Sequence, residues 1–411
     1  MKNKFWAGFL TGLAGTILVV TVGLGVNKLI PNTIFDNNNV QKTEDGTSKD
    51  VDEVLEKLQG IDNLINRYYI EDVDENDLIE GMYKGYVAGI GDPYSTYYTV
   101  DEYKALMDSS SGIYYGIGAT VSQDVTTGII RIIKPFVSSP AYEAGLLPED
   151  ILYKVDGEEV TGIDLTEVVS KIKGPEGTTT TLTIIREGVD EELEIEVTRR
   201  KIEVPTIEHT MLDSNIGYIA ISEFDKVTVD QFLSAVEELE EKGQRGLIID
   251  VRNNPGGLLD SVTKMLDRLL PEGLIVYTED KYGNREEIKS NASDYFDKPL
   301  VVLTNGNSAS ASEIFAGAIQ DYGIGKVVGT NTFGKGIVQS IFPLPDDTAV
   351  KVTVSKYFTP NGRDIHEVGI APDVEVELDE ELRKQVVIEK EKDNQLQKGI
   401  EVLEDLITNQ K

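Results

Sequence analysis

Cysteine is absent from this chain of 411 residues, which removes disulfides, thiolate zinc sites and cysteine nucleophiles together. Histidine is nearly absent as well: His209 and His366 are the two there are. Basic residues are scarce beside acidic ones, 39 against 72, for a net charge of −33. That deficit argues against nucleic acid as a partner, because binding phosphates takes a basic surface. Solenoid-type repeats are missing too. The remainder is ordinary globular material, 40% hydrophobic and 27% charged, long enough for two or three domains.

The one long apolar run is at the start. Lys2 and Lys4 precede Phe5–Val26, and no charge comes until Lys28. About twenty such residues span a bilayer as a helix, and lysines before the run predict a cytoplasmic N-terminus. No small-x-small cleavage site comes after it, so residues 1–27 are expected to be an uncleaved anchor with the rest of the chain outside the cell membrane. Residues 28–50, rich in Asn, Asp, Thr, Ser and Lys, read as a flexible stalk.

From Val51 the apolar residues recur at helical spacing: Val54, Leu55, Leu58, Ile61, Leu64 and Ile65. A second amphipathic stretch runs from Asp77 to Ile90 and stops at Gly91-Asp92-Pro93. Residues 51–110 are thus a helical region that either covers a core or pairs with a second subunit. Residues 111–198 look like a β-rich module with two short helices and an Asp156-Gly157 turn. Residues 199–375 alternate short apolar strands with helices, an α/β pattern. Residues 376–411 form a charged tail with helical spacing from Asp379 onward. The fold class expected is multidomain α+β: an α/β core, a β-rich domain, N-terminal helices and a C-terminal helical tail.

Three segments carry chemistry. The strand Leu300–Leu303 leads through Asn305-Gly306 into Ser308-Ala309-Ser310-Ala311-Ser312-Glu313 and then a helix. Ser310 therefore sits where free N–H groups and the helix dipole favour negative charge. Ser310 is either a nucleophile or an N-cap with Glu313 completing a capping box. The strand Gly246–Ile249 ends in Asp250-Val251-Arg252-Asn253-Asn254-Pro255-Gly256-Gly257, bare backbone able to approach a ligand. Arg252 with Asp250 reads as a structural ion pair. Gly329–Lys335 matches most of a phosphate-binding loop, but Gly336 replaces the Ser or Thr that holds magnesium and a strand-like stretch replaces the helix. Nucleotide binding is thereby disfavoured. Lys335 between two glycines suits a buried base, since an apolar site disfavours the ammonium. Gln339, four residues on, shares its face in a strand.

Ser-Ala-Ser-Ala-Ser-Glu, Gly-Lys-Gly-x-Val-Gln and Arg-x-Asn-Pro-Gly-Gly together resemble the carboxyl-terminal processing peptidases, or tail-specific proteases. Lys356–Ile365 leading into Gly369-Ile370-Ala371-Pro372-Asp373 fits that family's C-terminal core, and the likeness extends over nearly all of the chain from Val51. It implies a Ser–Lys catalytic pair: Ser310 as nucleophile, Lys335 as base, Gln339 orienting the lysine, and the N–H groups of Gly256 and Ala311 as the oxyanion hole. It implies a PDZ domain at 111–198 whose loop Tyr115-Gly116-Ile117-Gly118 receives a peptide's terminal carboxylate. Pro140–Leu146 and Asp150-Ile151-Leu152 are PDZ-like as well.

The function expected is a serine endopeptidase that cleaves near the unstructured, apolar C-terminal tails of exported or membrane proteins. No metal or organic cofactor is implied, the histidines look dispensable, and a homodimer is compatible with the helical ends. The competing class is a catalytically idle PDZ-containing peptide-binding or signalling scaffold, against which the intact Ser310, Lys335 and Gln339 weigh.

Overall fold

The computed structural model describes residues 51–293, 295–385 and 388–409. They divide into two compact units. One holds the described residues up to Val100 together with Ile341–Val352; the other holds Asp101–Ser340 and the described residues from Thr353 onward. The expected anchor and stalk lie outside the described residues. Among the described residues, no helix is long and apolar enough to cross a membrane.

In the smaller unit, Val51–Tyr68 is a helix with no buried residue, so its apolar stripe is left open. The helix Glu75–Ala88 starts where the Asp74 carboxylate accepts the Asn76 N–H at 2.8 Å, and it buries Val87. Thr96–Tyr98 pairs antiparallel with Ala349–Lys351. Tyr97 meets Tyr83 with ring centroids 5.3 Å apart.

In the larger unit, the β module is a sheet ordered Ala119–Gln123, Ile130–Pro135, Ile151–Val155, Thr179–Ile185, Leu193–Thr198, antiparallel throughout. Alternate residues such as Leu182, Ile184 and Val197 point inward, as strand periodicity demands. They bury Val168 and Ile172 of the helix Leu165–Ile172.

The α/β core is a sheet ordered Ile207–Leu212, Ile216–Ile221, Gly246–Asp250, Leu300–Thr304, Gly325–Gly329, Val374–Glu375. Its first strand is antiparallel; the rest are parallel. Central strands covered on both faces read as unbroken apolar runs, and Leu247-Ile248-Ile249 and Leu300-Val301-Val302-Leu303 do so. Leu247, Ile249, Leu300 and Val302 pack under the helices Thr228–Glu241, Leu259–Leu269 and Ala311–Tyr322. Ile248, Val301 and Leu303 pack on the other face against Leu396, Leu403 and Ile407 of the helix Asn394–Asn409.

The tail is not one helix from Asp379. A single 3-10 turn covers Leu382–Lys384, and the helix proper begins at Asn394, where Asp393 caps it by accepting the N–H groups of Gln395 and Leu396 at 3.1 and 3.0 Å. Val386 and Val387, which contribute to the helical spacing, lie outside the described residues. A hairpin of Gly273–Asp280 and Arg285–Ser290, which the alternation of strands and helices passed over, also pairs with Ser355–Phe358.

Parallel α/β sheets bind ligands beyond the carboxyl ends of their strands. Three loops leave this sheet at that edge: 251–257 after Gly246–Asp250, 305–310 after Leu300–Thr304, and 330–336 after Gly325–Gly329. They carry the three segments whose sequence points to chemistry.

Candidate active site

Ser310 is the residue from which the helix Ala311–Tyr322 departs, and its backbone is at φ 58°, ψ −112°. A positive φ is uncommon outside glycine and is held only when surrounding contacts over-determine it. Those contacts are visible. Ala309 N–H donates to Asn254 O at 3.0 Å, Ser312 Oγ to Asn254 O at 2.9 Å, and Ser308 Oγ to Val251 O at 2.8 Å. Ser308 and Ser312 thus lace loop 305–310 to loop 251–257, while Ser310 Oγ is buried with no hydrogen-bond partner. Ser310 also heads the helix as its N-cap, with Glu313 completing the capping box that the sequence offered.

Glu313 joins the Ser310 segment to the Lys335 segment. The side chain is fully buried. Oε2 accepts the N–H groups of Ser310 and Lys335, both at 2.8 Å. Oε1 accepts Gly334 N–H at 2.7 Å and Thr332 Oγ–H at 2.6 Å. Burial pushes this carboxyl above its ordinary pKa, and the four donors pull against that shift by favouring the charged form. Tyr357, also fully buried, closes the ring from the other side: its hydroxyl lies 2.9 Å from Ser310 O and within bonding distance of Lys335 O. The sequence offered Glu313 as half of a capping box and the end of a motif, and Tyr357 only within the Lys356–Ile365 stretch, without a role.

Lys335 is 7% exposed and precedes the strand Ile337–Pro343 rather than lying in it. The face-sharing argument for Gln339 therefore does not apply. Gln339 is nonetheless buried, with Nε2 donating to Thr353 Oγ1 at 3.2 Å and Oε1 left without a partner. The glycine-rich loop does run into a strand, as expected for something other than a nucleotide site. His366, set aside as dispensable, runs against this loop: a Cβ at Gly336 would meet its N at 2.6 Å. His209 pairs with Glu238 at 3.1 Å on the surface side of the helix Thr228–Glu241.

Gly256, at φ 114°, lies against Ser310. A Cβ there would meet Ser310 Cβ at 2.9 Å and Ala311 N at 3.1 Å, so a side chain is excluded. The structure thus brings Gly256, Ser310 and Ala311 together. In this conformation Gly256 N–H donates to Asn254 Oδ1 at 2.9 Å, so it reaches an oxyanion only after giving up that bond. Ala311 is the first residue of its helix, where N–H groups have no intrahelical acceptor.

In the β module, Tyr115 and Gly116 belong to a two-stranded ribbon and pair with Lys201 and Arg200. Ile117 O accepts Ala141 N–H at 2.8 Å. Gly118, at φ 78°, offers its carbonyl to Phe136 N–H and Ser139 Oγ–H. Burial pushes the Tyr114 phenol up to about 12, with the backbone N–H groups of Ala119 and Gly118 acting in the opposite sense on its oxygen. The loop expected to receive a carboxylate therefore faces an internal hydroxyl here.

Comparison with known proteins bears on this arrangement. Residues 215–376 match Peptidase family S41, residues 137–186 a PDZ domain, and residues 17–102 the N-terminal domain of the activating protease CtpB. The carboxy-terminal processing protease CtpB of Bacillus subtilis is 37% identical over 329 residues, 79% of this chain and 68% of that protein. The chain belongs to peptidase family S41. It is a serine-type peptidase with a PDZ domain. The carboxyl-terminal-processing protease of a Synechocystis species is 38% identical over 295 residues, covering 71% of this chain and 69% of that protein. A solved Bacteroides fragilis structure described as an S41 protease shares the fold, with a TM-score of 0.53 at 19% identity over 82% of this chain and 91% of that one.

Proposed function

We propose that this S41 peptidase cleaves near the C-terminal tails of protein substrates with a Ser–Lys pair, Ser310 and Lys335. The observation that carries the reading is Glu313, whose one carboxylate accepts the N–H groups of both residues. In the proposed reaction, Ser310 Oγ attacks the scissile carbonyl and its proton passes to a neutral Lys335 Nζ. The reaction needs the Lys335 amine neutral, and burial in general disfavours the charged ammonium; Lys335 is buried. N–H groups of Ala311 and, once released from Asn254, Gly256 hold the oxyanion. Lys335 Nζ returns the proton to the leaving amine, and water attacks the acyl-enzyme to free the new C-terminus and Ser310 Oγ. Gln339 Oε1, buried without a partner, is suited to orient the lysine amine.

In this reading the PDZ domain captures an apolar tail by strand addition, with the Tyr115–Gly118 loop receiving its terminal carboxylate, and gates the site. The closed nucleophile favours gating, because Ser310 Oγ is sealed from solvent and no carbonyl reaches it without an opening movement. The apolar run Phe5–Val26 supports an anchor that leaves the peptidase on the extracytoplasmic side of the cell membrane, with exported or membrane proteins as substrates.

The test is cleavage of an unstructured protein such as casein, and of matched peptides with and without an apolar C-terminal tail, by the full chain and by Ser310→Ala and Lys335→Ala. Turnover lost in both folded variants, and faster on the tailed peptide, is the expected result. Turnover persisting in either variant overturns the pair; equal rates on the two peptides overturn tail capture.

A further inference from the structure

The helix Asn394–Asn409 does more than cover the sheet. Its cap, Asp393, is 5% exposed and reaches loop 251–257. Arg252 Nη1 and Nη2 donate to the two Asp393 oxygens at 3.0 and 2.7 Å, a fork-to-fork pair with defined geometry. Arg252 also grips its own strand, with Nε and Nη2 on the Asp250 carboxylate at 2.9 and 2.6 Å. Tyr218 OH donates to the same carboxylate at 2.8 Å. Gln395 Oε1 accepts from Arg252 Nη1 at 3.0 Å, while Gln395 Nε2 is tied to Val376 O at 2.7 Å. The pair expected from sequence, Asp250 and Arg252, is therefore half of a buried network whose other half comes from 141 residues away.

The two asparagines next to Arg252 carry the network on to the nucleophile. Asn253 N–H donates to Asn305 Oδ1 at 3.0 Å, and Asn253 Oδ1 accepts from Asn305 and Asn307 at 2.9 Å each. Asn254 Oδ1 then takes Gly256 N–H, and Asn254 O takes Ala309 N–H and Ser312 Oγ–H. Hydrogen bonds from the cap of the last helix to Arg252, the peptide chain from Arg252 to Asn254, and hydrogen bonds from Asn254 onward together reach Ala309 and Ser312, which flank Ser310.

We infer that Asp393 is a positioning residue for the Ser310 reaction, acting through Arg252 to hold loop 251–257 and its glycine backbone in register with the nucleophile. It touches no substrate. The inference deepens the proposed Ser–Lys reading and rests on it. The charged pair is suited to this role because neutralising Asp393 leaves the buried guanidinium held by Asp250 alone, on its own loop, and removes the charged acceptor that ties that loop to the last helix. A displacement on the order of 1 Å at reacting groups costs about 100-fold in rate.

The experiment compares the full chain with Asp393→Asn, Asp393→Glu and Gln395→Leu. It reads kcat and KM on casein-derived peptide, the folded fraction by circular dichroism, and amide hydrogen exchange in residues 251–257. Expected for folded Asp393→Asn is a kcat lower by about 10- to 100-fold at nearly unchanged KM, with faster exchange in 251–257 than in the β module. Asp393→Glu recovers most of the rate, and Gln395→Leu, which removes one bond to Arg252, shows a smaller loss of the same kind. If Asp393→Asn does not fold, Gln395→Leu decides alone. A kcat per folded molecule equal to the parent's, or exchange unchanged in 251–257, overturns the inference. Ser310→Ala in the same assay separates the two claims: if it turns over like the parent, the Ser–Lys reading fails, and the loop claim is then judged on exchange alone.

Discussion

Replacing Glu313 by glutamine changes one atom and tests the centre of the site. The carboxylate accepts four hydrogen bonds, two per oxygen. An amide has one oxygen to accept and an NH2 group that must face the other two donors. If the NH2 takes the Oε2 place, it confronts the N–H groups of Ser310 and Lys335, neither of which can turn. If it takes the Oε1 place, the Thr332 hydroxyl can rotate away, but Gly334 N–H cannot. The second arrangement is the cheaper one. It orphans one buried N–H, at about 1–3 kcal/mol, and demotes the remaining bonds from charge-assisted to neutral, at about 1 kcal/mol each. Relief of the buried charge, seen in the raised pKa of this carboxyl, returns part of that. The expected net loss is about 2–4 kcal/mol of unfolding free energy, with kcat reduced by about tenfold or more because Ser310 and Lys335 lose their common anchor. Urea unfolding monitored by tyrosine fluorescence measures the first, and peptide turnover the second. A Glu313→Gln enzyme within about 0.5 kcal/mol of the parent, turning over at the parental rate, would refute the claim that this carboxylate holds the two segments together.

Two other groups give measurable outcomes. Tyr357→Phe removes the hydroxyl that meets the carbonyls of Ser310 and Lys335, and is expected to cost about 1–3 kcal/mol with a lower kcat; unchanged melting and turnover would deny it any part in the site. Burial, helped by the nearby Glu223, pushes the Asp225 carboxyl up to about 7. Its neutral form is therefore favoured in the folded protein, so its stabilising contribution is full below about pH 4, where the unfolded carboxyl is protonated as well, and is lost as pH rises through 7. Asp225→Asn should gain stability relative to the parent as pH rises from about 4 to about 7, by at most about 4 kcal/mol, and a pH-independent difference in urea unfolding would count against the shift.

Much of the fold was legible because it is written locally. Leu247-Ile248-Ile249 and Leu300–Leu303 announce strands buried on both faces, and Asn305-Gly306 leading into the serine segment announces a helix start. Ser310 and Lys335 stood out for the same reason, as polar residues framed by small ones. Their supports did not. Glu313 bonds to Thr332, Gly334 and Lys335, some twenty positions away, and Tyr357 to Ser310 O across 47. Such partners leave no periodicity in the chain. The hairpin of Gly273–Asp280 with Arg285–Ser290 was obscured by charge, since Arg285-Glu286-Glu287 presents three ionisable side chains within a strand. The start of the last helix depended on Asp393 as cap, and one aspartate among many in an acidic tail is not conspicuous.

The backbone of Ser310 has a consequence beyond chemistry. Its φ of 58° is a conformation in which glycine rests easily and an L-residue does not. If Ser310 is the nucleophile proposed above, selection for hydrolysis is what keeps a serine there against this backbone preference. A descendant relieved of that selection gains stability by drifting to glycine at this one position, so lineages that have fallen silent should carry their history as Ala-Gly-Ala where this chain has Ala309-Ser310-Ala311.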